Sequence, residues 1–149
     1  MSSSAGYSGT PLPKKLGVTE GTRVLLDGAP QDFSLAGAPA GVVLHRQPPA
    51  GAEPADPSDA DPYDVVLAFC PDSAALHRRW PVLHPRTTGP GALWIAWPKK
   101  AARTGTDLDE NLVREFGLAN GRVDVKVCAV DETWSGLKFV VRLSDRGQR

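Results

Sequence analysis

Charged and aromatic side chains cluster at two points of the sequence, each directly after an apolar run. The runs are GALWIAW and RVDVKVCAV. The residues at their ends are Trp97, Lys99, Lys100, Asp131, Glu132 and Trp134. Two lysines could bind an anion such as a carboxylate, and two acids could act as a base or pair with the lysines. These residue types indicate a candidate site for a small anionic ligand.

Each of these residues also has an interpretation without function. Lys99 and Lys100 could be solvated loop charges, because charge runs usually lie on the surface. Asp131 and Glu132 could be ordinary turn acids. Trp134 is unusual in a turn, and it could either pack over the end of the sheet or form part of a binding surface.

A third candidate position follows the apolar run TRVLLDGAP, at Asp27 and Gly28. Asp27 could be the acid of a cofactor motif, or it could cap or tether the following turn. Ala29 and Pro30 follow Gly28, so the phosphate-cradling pattern GxGxxG is absent.

The cysteines and histidines are further candidates for catalysis or metal binding. Cys70 stands before a predicted helix whose dipole could activate it, or it could be a buried, inert thiol. The histidines lack ligand spacing with the cysteines, so no metal site is expected.

The elements that must position these residues alternate along the chain. Strands are predicted over 22–27, 41–46, 63–70, 91–97, 122–130 and 136–143, and helices over 10–16, 32–36, 71–83 and 106–118. This alternation indicates an α/β fold with one open, mostly parallel sheet of about six strands and helices on both faces. Because parallel strands end at one edge of a sheet, the candidate residues should meet there.

Details of these elements can be predicted as well. TGPG is interpreted as a turn leading into the fourth strand, and DETWS as the link of a closing antiparallel hairpin. Trp94 and Trp97 should face opposite sides of the fourth strand.

The two longer helices can also be described in advance. The buried face of the third helix should consist of Leu76, Trp80 and Leu83, and Pro81 could bend or divide this helix. The last helix should begin with a capping box of Thr106 and Asp109 and end at Gly117. Its buried stripe is predicted to contain Leu108, Leu112 and Phe116, with Val113 beside it.

Composition fits a single domain over residues 10–143, flanked by flexible segments at 1–9 and 144–149. Residues 47–62 have no apolar residue beyond alanine, which is typical of a disordered loop. The chain has 17 Lys and Arg against 17 Asp and Glu, so no overall field attracts nucleic acid or a membrane. Two cysteines in apolar runs, no apolar stretch near ~20 residues and no secretory signal favour the cytoplasm.

The segment KKLGVTEGTRVLLDGAP resembles the entry to a class I S-adenosylmethionine-dependent methyltransferase, and YDVVLAF and PGALWIAW resemble later strands of that fold. The resemblance implies a shortened Rossmann-like sheet in the order 2-1-3-4-6-5, with the last strand antiparallel. The chain departs from the family at its cofactor site. The turn reads DGAPQDF, and the second strand ends in HRQPP, without the acid that holds ribose hydroxyls. S-adenosylmethionine is therefore not expected to bind tightly.

The strings GYSGTPLPKKLG, GALWIAWPKK and VDVKVCAVDETWSGLKFV resemble an actinobacterial family of small proteins of unknown function. The first expectation is a non-catalytic module that binds a small anionic ligand or a protein partner. One alternative is a methyltransferase with an atypical cofactor turn. Another is a small enzyme of a different class that uses Asp131, Glu132 and Lys99. The oligomeric state is left open.

Overall fold

The computed structural model describes residues 12–30, 33, 35, 37–47, 62–100 and 105–141. The elements in chain order are α1 (Leu12–Leu16), β1 (Arg23–Asp27), β2 (Val43–Gln47), β3 (Tyr63–Phe69), α2 (Ser73–Leu83), β4 (Thr87–Pro98), α3 (Glu110–Ala119), β5 (Val123–Ala129) and β6 (Trp134–Val140). The predicted flexible ends at 1–9 and 144–149 lie outside the described residues, as does the predicted loop between Gln47 and Pro62. Most of the helix predicted over 32–36 lies outside them too. Phe33 and Leu35, which are described, are not helical.

The six strands form one sheet in the order β2-β1-β3-β4-β6-β5. β1 pairs in parallel with β2 and β3, and β3 pairs in parallel with β4. β6 is antiparallel to both β4 and β5. The predicted strand order and the antiparallel last strand are confirmed. The carboxyl ends of β1 to β5 therefore lie along the same edge of the sheet.

Each face of the sheet is covered by helix, as the alternation predicted. One face packs against α2 and α3, and the other against α1 and the segment after β1. Trp94 and Trp97 belong to these two separate cores, which confirms that they face opposite sides of β4. The indole Nε1 of Trp94 donates to the Leu16 carbonyl at 3.1 Å and so fastens α1 to the sheet.

Helix α2 confirms its predicted buried face. Asp72 caps the helix, because its carboxylate accepts from the Ala75 N–H at 2.9 Å. Leu76, Trp80 and Leu83 are all buried. Pro81 lies inside the helix, which continues to Leu83 and is not divided.

Helix α3 differs from the prediction at its start, its stripe and its end. Asp109 alone is the N-cap and accepts from the Leu112 N–H at 2.9 Å, while the Thr106 hydroxyl accepts from the Leu108 N–H. Leu108 is buried but precedes the helix, so it does not anchor the stripe that was predicted. Leu112 is 48% exposed.

The buried face of α3 is instead formed by Val113 and Gly117, with Phe116 packed partly against the core. Gly117 does not end the helix, which continues to Ala119. A Cβ at Gly117 would overlap the Phe139 ring. The glycine is therefore a point of close approach between α3 and β6, not a helix stop.

Strand β4 begins earlier than predicted, because the TGPG sequence bulges within the strand instead of forming a turn before it. Tyr63 pairs with Thr87, and the next pair is Val65 with Ala92, so four residues of β4 stand opposite one of β3. A Cβ on Gly91 would lie 2.7 Å from the Asp64 carbonyl oxygen. The bulge therefore requires glycine at this position.

The closing hairpin is tighter than predicted. Trp134 and Ser135 belong to β6, so the link between β5 and β6 consists only of residues 130–133. The outer strand β5 carries two valines about half exposed, Val125 and Val127, and its register shifts between Asp124 and Lys126.

Candidate functional site

The carboxyl end of β1 is closed by a buried ion pair. Asp27 is 2% exposed, and its two oxygens accept from Nε and Nη2 of Arg79 at 3.0 and 2.7 Å. Arg79, which lies in α2, is itself 3% exposed. Two parallel hydrogen bonds make this the strongest form of side-chain ion pair. Asp27 therefore fastens a helix to the sheet.

Sequence reasoning missed Arg79, although a signal was present. The helical period that places Leu76 and Leu83 on the buried face of α2 places Arg79 between them. A buried arginine requires an anionic partner, since an unpaired charge in the core is costly. That requirement would have pointed to Asp27.

The turn after β1 is held by the end of β2. Gly28 has a φ of +72°, a left-handed conformation that glycine adopts without strain. Arg46 donates to the carbonyls of Pro30 and Phe33 at 2.9 and 2.8 Å. An arginine that binds backbone carbonyls thus lies near the end of the strand where the methyltransferase resemblance called for an acid.

Cys70 lies just after β3, in the same region. The thiol is fully buried, and this burial, followed by the charge of Asp27, raises its pKa to about 12. Such a thiol stays protonated near neutral pH and is a poor nucleophile. Cys70 and Cys128 are both free, and Cys128 is half-buried.

The other predicted site residues lie at the carboxyl end of β4, in the hairpin turn that leads into β6 or at the start of β6. Trp134 pairs with Pro98, and the Lys99 N–H donates to the Thr133 carbonyl at 2.8 Å. Lys99 is half-buried and Lys100 is exposed. The backbone after β4 is therefore fixed against the hairpin turn.

The side chains of this region point to different places. Asp131 stabilises its own turn, because its Oδ1 accepts from the Thr133 and Trp134 amides at 2.8 and 2.9 Å. Glu132 is exposed. Trp134 packs edge-on against Phe69, with ring centroids 5.0 Å apart, on the face of the sheet opposite to Trp97. Trp97 is 5% exposed and belongs to the core.

The two lysines line a cavity of about 290 Å³ whose other wall is the segment 105–109, just before α3. Among the described residues, neither lysine ammonium takes part in a hydrogen bond or an ion pair. Asp107, on the opposite wall, accepts from the Ser73 N–H at 2.8 Å and from the Ser73 hydroxyl at 2.6 Å. These hydrogen bonds hold the pKa of Asp107 below its usual range, the one from the hydroxyl most.

A second cavity, of about 400 Å³, lies at the opposite end of the sheet, where β1 and β3 begin. Thr19, Thr22, Asp64 and Thr88 contribute polar atoms to its lining. Asp64 accepts from the Arg23 N–H at 3.0 Å. No sequence pattern indicates this cavity, because the TGPG segment that forms part of its lining has the composition of a turn and not of a bulge in β4.

Two further properties concern only the part of the chain that the structure describes. No group of three or more His, Cys, Asp or Glu side chains there is placed to hold a metal ion. None of the helices there has both the length and the apolar character needed to cross a bilayer.

Comparison with known proteins gives matches in structure only. No family model and no curated protein matches the chain. The B. subtilis M1A22 tRNA methyltransferase TrmK is 10% identical, with a TM-score of 0.52, over 91% of this chain and 67% of that one. The structure of a fibrillarin/Nop5p complex matches at 12% identity and a TM-score of 0.53, over 89% of this chain and 83% of the matched chain.

The chain has a Rossmann-like, methyltransferase-like fold. At these identities the likeness concerns the fold alone. The resemblance to an actinobacterial family of small proteins of unknown function stays a prediction.

Proposed function

We propose that this methyltransferase-like protein binds a small anionic ligand at the carboxyl edge of its sheet, in the cavity lined by Lys99 and Lys100. The supporting observation is that both lysines line a concave surface and that neither ammonium group has an acceptor among the described residues. Two cations that share a cavity repel each other, and a bound anion relieves that repulsion.

The surroundings support a role in binding. The Lys99 backbone is held by the hydrogen bond to Thr133, so this residue is positioned before any ligand arrives. Asp107 accepts two hydrogen bonds from Ser73 and, among the described residues, forms no ion pair with either lysine. Buried Leu108 adds an apolar wall.

The proposal can be tested by titrating the protein with inorganic phosphate and with glutarate, while protein NMR signals are followed. We expect saturable shifts centred on residues 99–109, with binding weakened at least about tenfold by the double substitution Lys99→Gln and Lys100→Gln. The double substitution Lys14→Gln and Arg78→Gln removes the same two charges from exposed residues of α1 and α2 and serves as the matched control. Equal weakening by the control would show only a general charge effect and would overturn the proposal.

Methyl transfer from S-adenosylmethionine is the second candidate. The likeness to two methyltransferases favours it over an inert module. Gly28 also follows β1 directly, where the strand order reverses and ligands of open α/β sheets bind. The side chains fit less well. Asp27 is paired with Arg79, and the end of β2, where an acid would hold a ribose, has Arg46, which binds a carbonyl of the turn after β1.

Calorimetric titration with S-adenosylmethionine separates the two candidates. We expect no binding in the low micromolar range. A dissociation constant of that order, together with insensitivity to the lysine substitutions, would place methyl transfer first.

A further inference from the structure

The cavity beside Lys99 and Lys100 contains acceptors as well as donors. Asp109 uses Oδ1 to cap α3, and among the described residues no donor contacts its Oδ2. Each oxygen of Asp107 accepts one hydrogen bond, which leaves a second lone pair on each. The lining can therefore receive N–H donors from a ligand.

These opposite charges are separated across the cavity. The lysines follow β4, whereas the acids lie in the segment before α3. The ion pairs of the described residues join no lysine of the cavity to either acid. Among the described residues, the lining thus carries two positive charges after β4 and two negative charges before α3, and these sum to zero.

A lining of this kind discriminates between ligands by their charge distribution. An anion without a cationic group that contacts the lysines would also lie near two carboxylates, which repel it. An amine without an anionic group that contacts the carboxylates would lie near two ammonium groups, which repel it. A molecule with an anionic and a cationic group a few ångströms apart satisfies both walls. A volume of about 290 Å³ is close to the lower end of small-molecule pockets and suits a compact ligand.

We infer that this cavity selects an α-amino acid, or the amino-acid part of a larger molecule, over an anion of the same size. The inference rests on the proposed function and narrows its ligand class. The α-carboxylate binds between Lys99 and Lys100, and the α-ammonium binds Asp109, with Asp107 as a second acceptor.

The test compares L-glutamate with glutarate, which have the same carbon chain and differ only in the α-ammonium group. We expect L-glutamate to bind the unaltered protein about tenfold more tightly, in the same NMR titration. Asp109→Asn should abolish that preference, because asparagine still caps α3 but carries no charge. Glu115→Gln, an exposed residue of α3, makes the same change in net charge and should leave the preference intact.

The possible failures are distinguishable. Equal affinity for the two probes in the unaltered protein, with both still sensitive to Lys99→Gln, would overturn the inference and leave anion binding in place. Binding of neither probe would overturn the proposed function itself. A thermal melt shows whether Asp109→Asn is folded, and the comparison of probes on the unaltered protein stands without that variant.

Discussion

The ends of β1 and β4 lie on the same edge of one sheet, but their charged groups differ in whether they have partners. At β1, Asp27 is held by Arg79 and the turn carbonyls are held by Arg46. At β4, Lys99 and Lys100 line a cavity and have no acceptor among the described residues. In the first region the charges stabilise the fold, whereas in the second they remain available for a ligand. The fold likeness alone would have directed attention to the first region.

Removing one member of the buried pair should have the largest effect on stability. Arg79→Ala leaves the Asp27 carboxylate buried without its partner, which should cost about 3–5 kcal/mol in a urea melt. The double substitution Asp27→Leu and Arg79→Met should recover most of this loss, because it removes both charges. A loss below ~1 kcal/mol for Arg79→Ala would show that the end of β1 is not closed in the way described.

Deprotonation of Cys70 should lower the stability of the fold at alkaline pH. Burial raises the pKa of this thiol from 9.0 to about 12, so the folded protein holds the proton more tightly than the unfolded chain. The contribution of this raised pKa to the free energy of unfolding is complete below about pH 9, falls as the pH rises further and is gone above about pH 12. Cys70→Ala should flatten the decline between pH 9 and pH 11 relative to the parent. Identical pH slopes would contradict this assignment.

Trp134 connects the two regions and should have an intermediate effect. Its ring packs against Phe69, and Phe69 packs against Phe33 of the segment after β1. Because Trp134 is only half-buried, Trp134→Ala should cost about 2 kcal/mol, less than the ~3–5 kcal/mol of a fully buried aromatic residue. Trp134→Phe keeps an aromatic contact and should cost less than half as much. No measurable loss in a melt would instead favour the binding-surface interpretation of Trp134.

Substitution of the two lysines should have the smallest effect on the fold. Lys99→Ala and Lys100→Ala should each change the free energy of unfolding by less than ~0.5 kcal/mol, because neither ammonium has a partner among the described residues. The same variants should lose anion binding. A large loss of stability would remove the contrast between the two ends of the sheet.

What the sequence could predict depended on local periodicity. The apolar runs and their alternation with helices predicted an open, mostly parallel sheet, and the spacing of Trp94 and Trp97 placed them on opposite faces. The strand order came from the resemblance to class I methyltransferases. Lys99 and Trp134 were placed at the same edge by the parallel topology, before any contact was known.

What it could not predict depended on tertiary contacts or on irregular backbone. Asp27 and Arg79 are 52 positions apart, and only the packing of α2 brings them together. Thr88–Gly91 has the composition of a turn, but pairing with β3 makes it a bulge. The acids of the lysine cavity precede α3, where no periodicity marks them.

The register shift in β5 bears on how the protein behaves at high concentration. An outer strand with half-exposed Val125 and Val127 would otherwise offer a regular hydrogen-bonding edge to another chain. The shift between Asp124 and Lys126 breaks the regular spacing of that edge, and the exposed Lys126 adds a charge that a pairing strand would have to desolvate. The irregularity therefore protects solubility at an apolar edge of the sheet.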